Sequence, residues 1–121
     1  SKKINVGLAT DTGGGTSFSM LKTIAETYKI SQLNNFSLHP AQLFWLATVG
    51  SAKALNLENQ IGNIKEGFYA DLNILNLSST KEIEQRCKRA KNFWEELFPT
   101  LIMGDDRAIQ SSWVSGNEIV L

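Results

Sequence analysis

Gly7-Leu8-Ala9-Thr10-Asp11-Thr12-Gly13-Gly14-Gly15-Thr16-Ser17 joins a stretch of one hydrophobic period to a stretch of another, and that change decides the fold class. Upstream, Ile4, Val6 and Leu8 alternate with Asn5 and Gly7, which predicts a β-strand over residues 4–9 with Asp11 at its polar tip. Downstream, Phe18, Leu21, Ile24, Ala25, Tyr28 and Leu33 recur at helical spacing. Strand, glycine-rich turn and helix in that order make an α/β unit.

The rest of the chain continues the alternation. Pro40 suits the first position of a second helix, with His39 as its N-cap and Gln42 three residues on, and Leu43, Leu46 and Ala47 form its apolar stripe. Gly50-Ser51-Ala52 interrupts the bulk with small residues before Ala54, Leu55 and Leu57, so two helical pieces are expected, pressed closely against something else. Gly62-Asn63 and Glu66-Gly67 mark turns, and residues 70–77 read as a strand. Ser78-Ser79-Thr80 supplies caps for a third helix over residues 80–98, carrying Ile83, Cys87, Ala90, Trp94, Leu97 and Phe98 on one face until Pro99 stops it. Leu101-Ile102-Met103 is a short apolar run before Gly104-Asp105-Asp106. Residues 109–114 and 118–121 read as a hairpin across Ser115-Gly116-Asn117. Two parts result: residues 1–58 hold the first strand, the glycine turn and the early helices, and residues 59–121 hold the later strands with one helix between them.

Composition narrows the function classes. The 121 residues carry 12 Lys+Arg against 12 Asp+Glu, with no basic run to follow a phosphate backbone. The longest apolar stretch, residues 43–47, is far too short to span a bilayer, so neither nucleic acid nor membrane is an expected partner. His39 is the single histidine and Cys87 the single cysteine, which excludes a disulfide framework and any metal site needing several of either from this chain alone. A lone cysteine and a start at Ser1-Lys2-Lys3 without a signal sequence suggest the cytoplasm, and the abrupt start without Met suggests a piece of a longer chain.

Asp11 is the leading candidate for chemistry, because a carboxylate at the C-terminal tip of a strand sits where α/β folds collect catalytic groups. An Asx turn is the plain alternative. Gly13, Gly14 and Gly15 would let a ligand approach the backbone, although the run lacks the Gly-Lys-Ser/Thr of a P-loop. Asp11-Thr12-Gly13 also matches the aspartic-protease motif, with Ile102-Met103-Gly104 as a candidate second turn, but such proteases are nearly all β and this chain has long helical stretches. His39 reads as a cap, Cys87 and the three tryptophans as packing residues, and the Glu82, Glu84, Arg86, Lys88, Arg89 and Lys91 cluster as a solvated helix face.

Taken together, these segments resemble the C-terminal part of the guanine deaminases, a family of the metal-dependent amidohydrolase superfamily. The resemblance runs through residues 7–20, Leu46-Ala47-Thr48 to Ala52-Lys53-Ala54-Leu55, Ile61-Gly62-Asn63, Gly67 with Ala70-Asp71-Leu72, and Gly104-Asp105-Asp106-Arg107. It implies a slice of a (β/α)8 barrel, namely the last strand and the helices after it, plus strands of a small β-sandwich domain. It implies one zinc per subunit, with Asp11 as both ligand and catalytic carboxylate, helping to deprotonate and orient the water that attacks guanine to give xanthine and ammonia. The family's other ligands, a His-x-His pair and two single histidines, and its proton-shuttling Glu are absent from this chain. The isolated chain is therefore expected to be inactive and to bind zinc weakly, the parent to be a homodimer. A stand-alone binding or structural module is the competing expectation.

Overall fold

The computed structural model describes residues 4–120. Helices predominate. α1 (Met20–Leu33) is followed by α2 (Pro40–Trp45), a π-helical turn (Leu46–Gly50) and α3 (Ser51–Ala54), which run on from one another. After a turn-rich stretch come β1 (Leu72–Leu75), α4 (Lys81–Cys87), α5 (Phe93–Met103), a 3-10 turn (Asp106–Ala108), β2 (Ile109–Val114) and β3 (Asn117–Ile119).

The core lies where α1, α2 and α5 meet. Leu21, Ile24, Leu43, Leu97, Leu101 and Ala108 are buried together there, with Leu8, Tyr28 and Phe98 packed on the margin. Leu43 and Leu101 are fully buried. α2 starts as the sequence predicts: the His39 ring accepts the Ala41 amide, and the His39 amide donates to Gln42 Oε1 at 2.8 Å, so the cap works in both directions.

The three strands form one antiparallel sheet in the order β1-β2-β3, with Leu72 opposite Trp113 and Trp113 opposite Glu118. The hairpin turn places Ser115 and Gly116 at φ 50° and 80°, the positive pair that suits the twist of a two-residue connection. Asp71 Oδ1 accepts the Ser115 amide at 2.8 Å and ties the turn to the residues leading into β1. Leu121, expected at the end of the hairpin, and residues 1–3 lie outside the described residues.

Four expectations are corrected. Residues 4–10 carry no regular secondary structure and join no sheet among the described residues, and of their apolar side chains Leu8 packs on the core while Ile4 and Val6 stay exposed. An extended segment needs a neighbouring strand to become part of a ladder, and here its contacts are with the π turn and α3. The single helix over residues 80–98 is two helices. Asn92 opens the second by accepting the Glu95 amide at 3.1 Å, and the Glu95 carboxylate reaches back to the Lys91 amide and the Asn92 side chain. Pro99 then lies inside α5 and does not end it. A proline in a helix interior costs about 3 kcal/mol, and burial of Leu97, Pro99 and Leu101 offsets that cost. Of the tryptophans, Trp45 and Trp94 are partly exposed and neither belongs to the buried core cluster.

Candidate functional site around Asp11

Residues 4–10 end in a tight reversal. Asp11 adopts φ 51°, in the left-handed region that Asp tolerates better than most residues, and Gly13 follows at 102°, which a side chain would strain. The Asp11 carbonyl accepts the Gly14 amide at 3.0 Å and the Gly15 amide as well. This folds the backbone under the Asp11 side chain. A Cβ on Gly14 would stand 2.7 Å from Asp11 Oδ2, and one on Gly15 would overlap the Thr10 carbonyl oxygen. Gly15 is therefore required by close approach to backbone and Gly13 by conformation, Gly14 adjoins the free end of the Asp11 side chain, and the Asp11 carboxylate is exposed at the end of the segment.

Such a group can bind a cation through one oxygen and accept a proton through the other. It cannot build a metal centre unaided. Among the described residues there is no group of three His, Cys, Asp or Glu side chains able to hold a metal ion, and His39, engaged in its helix cap, is not brought to Asp11. Asp11 could therefore supply one ligand to a cation, and the described residues offer no set to complete a site.

The other reactive side chains point elsewhere. Cys87 is half-buried, with Sγ 3.2 Å from both the Leu77 and Glu96 carbonyl oxygens; burial, then the nearby Glu96 charge, pushes its thiol pKa up, the opposite of an activated nucleophile. Asp105 accepts from the Arg107 guanidinium in a two-pronged pair, Nη2 to Oδ2 at 2.7 Å and Nε to Oδ1 at 3.0 Å. That bonding holds its carboxyl down to about 2. A surface cleft of about 500 Å³ is bordered by Tyr28, His39, Arg86, Arg89, Trp94 and Phe98, and neither Asp11 nor its glycines touch it. Ile102 and Met103, the second turn of the protease reading, belong to the last turn of α5.

One participant escaped the sequence reading. Ser51 Oγ lies 3.0 Å from both the amide nitrogen and the carbonyl oxygen of Leu8, three residues before Asp11. The run Gly50-Ser51-Ala52 announced a close contact but not its partner.

Residues 1–119 match the amidohydrolase family. Escherichia coli (strain K12) guanine deaminase is 39% identical over 115 residues, covering 95% of this chain and 26% of that protein. A solved structure of E. coli guanine deaminase superposes with a TM-score of 0.92 at 37% identity, over 96% of this chain and 27% of that one. The C. acetobutylicum guanine deaminase, solved with guanine bound in its active site, gives 0.70 at 27% identity, over 96% of this chain and 27% of that one. An adenosine deaminase from Xanthomonas campestris with bound zinc shares the fold, with a TM-score of 0.73 at 22% identity over 94% of this chain and 25% of its own. The chain spans about a quarter of the length of each of these relatives.

Proposed function

The chain belongs to the amidohydrolase family, and from that premise we propose that it is the C-terminal segment of a zinc-dependent guanine deaminase, contributing Asp11 as the single carboxylate of the metal site. The observation that carries the reading is the Asp11 turn: an exposed carboxylate beside Gly14, on a backbone reversal closed by the Gly14 and Gly15 amides. The guanine deaminase relatives support the substrate, and the zinc held by the adenosine deaminase supports the metal.

In this reading residues 4–10 are the last strand of a (β/α)8 barrel, and β1 to β3 belong to the small β-domain. Ile4, Val6 and Phe18, exposed here at 82%, 56% and 82%, would be covered by the neighbouring barrel elements. Zinc, when bound, supplies Lewis acidity that makes water a usable nucleophile near neutral pH. The chain's own part is narrower. With zinc bound, the Asp11 carboxylate would serve as a ligand and as a proton acceptor, and the glycine turn fixes the backbone from which it projects.

The test has two halves. The purified 121-residue chain is expected to turn over no guanine and to take up zinc only weakly, since one carboxylate makes a poor site. The full-length parent is expected to turn over guanine and to lose that activity on Asp11→Ala. Activity in the short chain, or its persistence in the variant parent, would overturn the assignment.

A further inference from the structure

Residues 4–10 join no sheet among the described residues, and within this chain their position is set by contacts to the π turn and α3. The contacts converge on one side chain. Ser51 Oγ lies 3.0 Å from the Leu8 amide nitrogen, 3.0 Å from the Leu8 carbonyl oxygen and 2.9 Å from the Leu46 carbonyl oxygen. With a single proton, the hydroxyl accepts from the Leu8 N–H and donates to one carbonyl at a time. The Leu8 amide also reaches the Leu46 carbonyl directly, at 3.2 Å.

Backbone geometry makes this approach available. The helix widens to a π turn over Leu46–Gly50, an irregularity often found at functional sites, and Leu46 is its first residue. At Gly7 a Cβ would overlap the Ser51 Cα and crowd its Oγ, so the two backbones touch where neither residue carries bulk. Asn5 adds a long contact from its side-chain amide to the Lys53 carbonyl at 3.5 Å.

We infer that Ser51 is a positioning residue for Asp11, its hydroxyl fastening Leu8 to the π turn so that the carboxylate three residues later has a fixed place. Its role toward zinc rests on the function proposed above, whereas the fastening itself does not, and the two are measured separately. In the 121-residue chain, Ser51→Ala is expected to speed hydrogen exchange at the Leu8 amide about fivefold, the loss of one ordinary hydrogen bond, with the α1 and α5 amides unchanged. Unchanged exchange at Leu8 would overturn the inference. In the full-length parent, the same variant is expected to release zinc to a chelator about tenfold more readily with little change in Tm, as for other groups that orient a ligand from behind.

If zinc retention is unaltered by Ser51→Ala but lost on Asp11→Ala, the positioning role falls and the proposed function stands. If Asp11→Ala also keeps its zinc, the proposed function falls while the Leu8 fastening survives in the exchange data. Should Ser51→Ala fail to fold, Ser51→Cys keeps the volume with a much weaker hydrogen-bonding group and is expected to give the same exchange and zinc results.

Discussion

The Asp11 carboxylate lies over Gly14 so closely that a Cβ there would stand 2.7 Å from Oδ2, while the Asp11 carbonyl accepts the Gly14 amide from below at 3.0 Å. Because Asp11 is exposed and at φ 51°, its charge contributes little to folding and its conformation is one Asn also tolerates. In the full-length parent, Asp11→Asn is expected to leave Tm within about 1 °C of the parent, as for a surface change, and to lower turnover by at least about 100-fold. Steady-state kinetics beside a thermal melt checks both.

Gly14→Ala attacks the same geometry from the opposite side. The added methyl must displace the carboxylate, and a shift of about 1 Å in a reacting group costs on the order of 100-fold in rate. The expected result is a fall of that size in kcat with helix content by circular dichroism unchanged. Full activity would mean that the carboxylate has room to move without consequence.

His39 makes the contrasting case. Its ring accepts the Ala41 amide at 3.1 Å to cap α2, and nothing brings it toward Asp11. His39→Ala should cost about 1 kcal/mol of stability and His39→Ser should restore most of it, as for other cap residues. Neither should alter turnover in the parent. A loss of activity that Ser fails to rescue would make the imidazole a chemical participant.

Asp105 and Arg107 carry the pH dependence. The guanidinium bonds hold the Asp105 pKa at about 2, below its ordinary 3.8. A carboxyl depressed on folding binds its proton more readily in the unfolded chain, so its contribution is fully present above about pH 4 and is lost as pH falls from 3.8 through 2. The carboxyl carbon of Asp105 should titrate near 2 by NMR, and Arg107→Ala should return the midpoint toward 3.8. An unmoved midpoint would show that the pair does not form in solution.

The sequence carried the local signals well and the distant ones poorly. The His39-Pro40-Gln42 cap, the Ser115-Gly116 turn and the helical stripe through Leu21, Ile24 and Ala25 depend on residues within a few positions of one another, and each stands in the structure where the pattern puts it. Whether residues 4–10 pair as a strand depends on neighbours that their alternation does not name. The break between α4 and α5 was written as Asn92-x-x-Glu95, a start signal masked by an apolar stripe that runs through it. The Asp11 turn was visible as a motif, yet its dependence on Ser51, 40 residues away, follows from packing alone.

Thr100 tests the core of α5 directly. It is fully buried, and its Oγ1 has no hydrogen-bond partner among the described residues. A buried hydroxyl without a partner forfeits its hydration with nothing in return, and Val has nearly the same shape and the same β-branching. Thr100→Val should therefore raise stability by about 1 kcal/mol, which for a domain of this size raises Tm by about 4 °C. The neighbouring Leu101→Ala should do the reverse, costing about 3 kcal/mol, because it empties a fully buried site between α1 and α5. A lower Tm for Thr100→Val would mean that the hydroxyl bonds to a group or a water within the core, and the α5 packing would then include a polar contact at its centre.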